Sequence, residues 1–180
     1  MNELTETAYE TTPDFSLEGQ TLLAKAVDVY DGDTASFAFQ YGDMMYKIRT
    51  RLSGLDSPEI RPRLSSATRD EEKKAAIFSR NRLIQILSDV GDTVNLCTPY
   101  SKKDIRRMLG QSRRLVWLKV GKSGKFGRPL VKIFLTEEDL GDSSKSVKYI
   151  LLKEELCCPY FGGRKCVDFR TYFRISSNGC

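Results

Sequence analysis

Thr34-Ala35-Ser36-Phe37-Ala38-Phe39-Gln40-Tyr41-Gly42-Asp43-Met44-Met45-Tyr46-Lys47-Ile48-Arg49-Thr50-Arg51-Leu52 is the stretch from which the fold is read. Ala35, Phe37, Phe39 and Tyr41 alternate with Ser36, Ala38 and Gln40, the period of a strand with one face in a core. Tyr41 to Met44 carries turn chemistry, and Tyr46, Ile48 and Leu52 then alternate with Lys47, Arg49 and Arg51. A hairpin turning between Gly42 and Asp43 pairs residues whose numbers sum to about 85. That register sets Asp33 opposite Leu52, brings Asp56 to the same end of the sheet and points Arg51 away from the apolar face.

Upstream, residues 21 to 30 read as a preceding strand, and residues 1 to 18 as an acidic tail, expected to be mobile. The first twenty residues hold Glu3, Glu6, Glu10, Asp14 and Glu18 and no base. Downstream, Thr68 and Glu71 form a Thr-x-x-Glu capping-box pattern, followed by the helical stripe Ala76, Ile77, Leu83, Ile84 and Leu87, ending near Ser88. Val94 to Cys97, Leu115 to Val120 and Pro129 to Leu135 read as further strands, with Pro129 at a start or edge. A shorter helix spans Val147 to Glu155 and stops before Pro159. This order of elements predicts a small α+β domain, a curled sheet or barrel packed on helices, over residues 19 to 163, with residues 164 to 180 as a C-terminal tail.

At 180 residues, 40% hydrophobic and 29% charged, the chain suits one globular domain. It contains no histidine, which excludes Ser-His-Asp and Cys-His nucleophilic chemistry and histidine-ligated zinc. Catalysis would need carboxylates, lysine, arginine, tyrosine, cysteine or an oxygen-held metal. No apolar run reaches the roughly 18 residues that cross a bilayer, so no membrane partner is expected. The acidic start lacks the pattern of a secretory leader, and the five cysteines form no C-x-x-C pair. Reduced thiols and an intracellular location are the expectation.

Net charge is +5, unevenly spread. From Ser101 to Arg128 ten bases face one acid, Asp104. Such density suits a polyanion, although a solvated loop is the plainer alternative. Lys102, Lys103, Arg106 and Arg107, in a basic insertion near 100–117, are assigned to phosphate-backbone contact.

Two segments gather candidate chemistry: Asp31-Gly32-Asp33-Thr34, and Arg51-Leu52-Ser53-Gly54-Leu55-Asp56-Ser57-Pro58-Glu59. Carboxylates crowded at one rim repel, and a hard cation such as Ca²⁺ would relieve that cost through oxygen ligands. Glu59 lies near enough to act on a metal-bound water. Read singly, each segment is an ordinary turn.

With Lys125-Phe126-Gly127-Arg128, the set resembles the staphylococcal nuclease (thermonuclease-like) family, whose pattern is an Asp-Gly-Asp-Thr turn, Arg-Leu, Asp-Thr/Ser/Ala-Pro-Glu, then Lys-Tyr-Gly-Arg. The resemblance runs from about Leu22 to Tyr160. It implies a five-stranded OB-type β-barrel with helices and metal-dependent hydrolysis of phosphodiester bonds. By this similarity Asp33, Asp56 and the carbonyl of Ser57 would hold Ca²⁺, Glu59 would orient or deprotonate water, and Arg51 and Arg128 would neutralise the phosphate. Lys125 and Tyr160 would line the substrate site, and the partner would be DNA, with RNA as a second candidate, met by a monomer. Phe126 replaces the usual Tyr, Gly124 stands where an acid is common, and Glu155 ends a helix where Gly is usual. The competing expectation is an OB-fold module that binds nucleic acid or protein without catalysis.

Overall fold

The computed structural model describes residues 3–66, 68–124 and 127–163. Five strands close a barrel: β1 (Thr21–Val29), β2 (Thr34–Tyr41), β3 (Met44–Leu52), β5 (Val116–Ser123) and β6 (Pro129–Phe134). Their order is β1-β2-β3-β6-β5, with β5 returning to β1. β4 (Leu55–Asp56) and β7 (Cys158–Pro159) form a separate antiparallel ribbon. Three α-helices complete the α+β fold: α1 (Arg69–Leu87), α2 (Lys102–Gln111) and α3 (Val147–Lys153).

The β2–β3 register follows from its turn. Thr34 pairs with Arg51 and Tyr41 with Met44, and Leu52 N–H donates to the Asp33 carbonyl at 2.7 Å. Ala35, Phe37 and Phe39 are buried as their alternation requires, but Tyr41, at the open end of the barrel, is 43% exposed and meets Phe15 edge to face. The barrel closes through a parallel contact of two residue pairs, Arg51 with Leu130 and Leu52 with Val131. That short contact leaves the first half of β3 diverging from β6.

Apolar stripes fix the helices. α1 buries Leu83, Ile84 and Leu87, α2 buries Ile105 and Leu109 against β1, and α3 buries Val147 and Leu151. Each adds on the order of 1.5–3 kcal/mol of transfer free energy per fully buried side chain. Leu17 joins this core, and Gly19 N–H donates to the Val120 carbonyl at 2.9 Å, so the acidic arm is tied to the barrel at its end.

Three local expectations are corrected. Thr68 does not cap α1 with its side chain; its hydroxyl pairs with that of Ser66 instead. Val94 to Cys97 is not a strand: Asn81 of α1 donates to the carbonyls of Asn95, Leu96 and Thr98, occupying acceptors a ladder would need. Lys102 to Gln111 is a helix, not the solvated loop weighed as the plainer alternative, with the Ser101 hydroxyl accepting from Asp104 N–H at its start. Among the described cysteines, Cys157 is a buried free thiol and Cys158 is buried beside it. No helix among the described residues is long and apolar enough to cross a membrane.

Candidate active site

The loop from β1 to β2 and the turn from β3 into β4 meet at one end of the barrel. Asp31 accepts a hydrogen bond from Asp33 N–H at 3.1 Å, the closed turn that Asp-Gly-Asp favours. Gly32 makes the meeting possible, because a Cβ there would overlap Ser79 Oγ of α1 and press on Ser57 Cβ. Behind it, Cys157 Sγ lies 3.9 Å from the Gly32 carbonyl and 3.7 Å from Ser79 Oγ. Burial pushes that thiol up and away from nucleophilic character.

Arg51 is the centre of the cluster. One nitrogen, Nη2, lies 2.7 Å from Asp33 Oδ2 and 2.6 Å from Asp56 Oδ1, and 3.4 Å from the Leu55 carbonyl. Asp33 and Asp56 are almost wholly buried, and Arg51 reaches solvent only in part. Ser57 N–H donates to Asp33 Oδ2 at 3.2 Å, and Thr34 Oγ1 donates to Asp33 Oδ1 at 2.8 Å. Arg128 Nη1, from the β5–β6 turn, meets the same Thr34 hydroxyl at 3.4 Å. A continuous chain therefore runs Arg128, Thr34, Asp33, Arg51, Asp56.

Electrostatics follow from the burial. Desolvation, reinforced by the charge of Asp31 and opposed by Arg51, pushes the Asp33 carboxyl up to about 8. Asp31 is also raised, chiefly by burial, with hydrogen bonds from Asp33 opposing and Glu59 adding repulsion. Burial works against the charge of Arg51, and its carboxylate neighbours more than offset this, leaving it above its usual range.

Glu59 follows buried Pro58, and its backbone N–H donates to Glu72 Oε1 at 3.3 Å. Its charge adds to the repulsion that raises Asp31. Tyr160 follows β7, donates its N–H to the Gly54 carbonyl and places its ring 5.9 Å from the Arg51 guanidinium carbon. Lys125 lies outside the described residues. Three of the four α2 bases have acidic neighbours outside the Asp33–Arg51–Asp56 cluster. Arg106 pairs with Asp28 of β1 at 2.9 Å, Lys102 approaches Asp28 at 4.0 Å, and Arg107 pairs with Asp104 at 3.2 Å. Lys103 is exposed on the same helix.

Three participants were not singled out by sequence reasoning. Thr34 and Asp31 sit inside the quoted motif, and only the fold shows that one bridges Arg128 to Asp33 and the other backs Asp33. Arg80 of α1 is buried, its Nε donates to Asn81 Oδ1 at 3.3 Å and its Nη2 has no hydrogen-bond partner among the described residues. Burial lowers it from the usual arginine range, with Asp31 opposing. An arginine within a helical sequence reads as solvated surface, and nothing local signals otherwise.

The donors fit a hard cation by type. Asp33 and Asp56 offer oxygen at one point, and Ser57 Oγ beside them is buried with no hydrogen-bond partner among the described residues. Among the described residues no group of three or more His, Cys, Asp or Glu side chains is arranged to hold a metal, so a cation here would depend on two carboxylates and water. No protein-family model matches the chain, and no curated protein matches it.

Proposed function

We propose that this chain is a calcium-dependent nuclease of the staphylococcal nuclease type, with an OB-type barrel, hydrolysing phosphodiester bonds of DNA, with RNA as a second candidate substrate, by in-line attack of water. The observation that carries the reading is the convergence of Asp33 and Asp56 on one nitrogen of Arg51, with Arg128 linked to the same carboxylate through Thr34. The barrel order, with β3 and β6 parallel, supports an OB-type connectivity.

In this mechanism Asp33 and Asp56, with the carbonyl of Ser57, would hold Ca²⁺, which would supply positive charge to offset that of the phosphate. Glu59 accepts a proton from the attacking water as the new O–P bond forms. The opposite P–O bond breaks, and the 5′ oxygen leaves with a proton from solvent. Arg51 and Arg128 bind the negative charge that grows on the phosphoryl oxygens, a contact stronger in the transition state than in the substrate. The α2 bases hold the polynucleotide backbone away from the reacting bond. The test is digestion of labelled single-stranded DNA, duplex DNA and RNA with Ca²⁺, Mg²⁺ or chelator.

A non-catalytic binding module is the rival reading. It is favoured by the geometry itself, since Arg51 already engages both carboxyl groups. Under that reading the digests show binding and no cleavage.

A further inference from the structure

Before its two-pair contact with β6, β3 runs through Lys47, Ile48 and Arg49 with ladder pairs to β2 and none to β6. The facing β5–β6 hairpin is irregular, its register shifting between Val120 and Ser123. The barrel wall therefore parts, leaving a cleft of about 440 Å³, within the size range of small-molecule sites. Arg128 lines this cleft and also reaches Thr34, so cleft and carboxylate cluster share a side chain. The cleft's charged lining is Lys47, Arg49 and Arg128 against one acid, Glu18. Phe15 and Leu17 add an apolar side. Lys47 and Arg49 are exposed, and Arg49 is steadied by the Tyr30 ring, 5.0 Å from its guanidinium carbon.

We infer that this cleft is a second nucleotide subsite, taking the next phosphate and nucleoside of a single polynucleotide strand that leaves the reacting phosphate at Arg128. The inference rests on the nuclease reading for the position of that first phosphate. Lys47 and Arg49 meet the following phosphate, while Phe15 and Leu17 give the base or sugar an apolar surface. Such a pairing of basic track and apolar platform holds single strands irrespective of sequence. The acidic arm is the competing occupant, because Phe15 to Glu18 already border the space.

The experiment measures binding of fluorescein-labelled dT12 and of thymidylyl-thymidine, under chelator, to the unaltered chain and to Lys47→Gln/Arg49→Gln. The dinucleotide has one phosphate and cannot fill Arg128 and the cleft together. The double variant is expected to bind dT12 about 10-fold more weakly, with a log-log salt slope smaller by about 1.4, roughly 0.7 for each lost single-strand contact. Its dinucleotide affinity should stay within about 2-fold. Glu18→Gln, which removes the cleft's acid and leaves both bases in place, should tighten dT12 binding. Unchanged dT12 affinity and slope in the double variant overturn the subsite. So does tighter dT12 binding on neutralising the arm (Glu10→Gln/Asp14→Asn) when the double variant has no effect, since the cleft is then the seat of the arm. Binding that behaves as expected in a chain that cleaves nothing with any divalent cation would sustain the cleft and remove the nuclease reading.

Discussion

Gly32 packs so tightly against Ser79 and Ser57 that a methyl group there has to displace α1 or the segment that follows β4. Gly32→Ala is expected to lower stability by about 1–3 kcal/mol, the usual range for overpacking, measured by denaturant unfolding. At Asp33 the prediction concerns pH. Its carboxyl is pushed up to about 8 in the fold, against about 3.9 in an unfolded chain. The folded state binds the proton more tightly, so protonation stabilises. That contribution is full below about pH 4 and is lost as pH rises through about 8. In chelator, the melting temperature of the unaltered protein relative to Asp33→Asn should therefore fall as pH is raised across this window. A constant difference would show that Asp33 is not held neutral. For the chemistry, Arg51→Ala and Arg128→Ala should each lower turnover on the order of 10²-fold or more. Glu59→Gln should stop cleavage while calcium and nucleic-acid binding persist, checked by calorimetry beside a cleavage assay. Loss of calcium binding would make Glu59 a ligand. At this scale the sequence was informative where a motif clusters along the chain, as at Asp33 and Asp56, which the fold brings to one guanidinium. It was silent where a contact depends on burial from afar: Arg80 belongs to a helix whose sequence gives no sign that its guanidinium is enclosed.

Elements carry the next set of expectations. α3 ends through Glu155, whose φ of +55° is left-handed, a conformation that suits glycine and costs a residue with a Cβ about 1–2 kcal/mol. Glu155→Gly is predicted to stabilise the fold by up to about 1 kcal/mol, seen as a higher melting temperature, with no effect expected on the Arg82–Glu154 pair at 2.7 Å. A lower melting temperature would mean the Glu155 side chain contributes more than its backbone costs. For α2, replacing Lys102, Lys103, Arg106 and Arg107 by Ser should weaken nucleic-acid binding and reduce the salt slope by about 0.7 to 0.9 per lost contact. Because Asp28 already engages Arg106 and Lys102, the total should fall short of four full contacts. An unchanged slope would make α2 a solvated helix that serves only to bury Ile105 and Leu109. Strand alternation and the Gly42-Asp43 turn made β2, β3 and their register legible. The supposed strand at Val94 failed because its carbonyls are taken by a side chain of α1, a long-range contact with no local signal.

For the whole molecule, an α+β barrel could be read from the order of strands and helices, but its closure could not. Only two residue pairs join β3 to β6, too short a signal for any periodicity to reveal, and the same shortness opens the cleft beside Arg128. The closed barrel is what brings the β1–β2 loop, the β3–β4 turn and the β5–β6 turn to one end. The central claim is that this end hydrolyses phosphodiesters with a divalent cation held by Asp33 and Asp56. Its most direct measurement is cleavage of end-labelled single-stranded DNA by the unaltered chain and by Asp56→Asn, each with Ca²⁺ and with chelator. The account predicts calcium-dependent cleavage by the unaltered chain, abolished by chelator and by Asp56→Asn while the variant remains folded. DNA that is bound but left intact with every divalent cation tried, or equal calcium-dependent cleavage by Asp56→Asn, would contradict it.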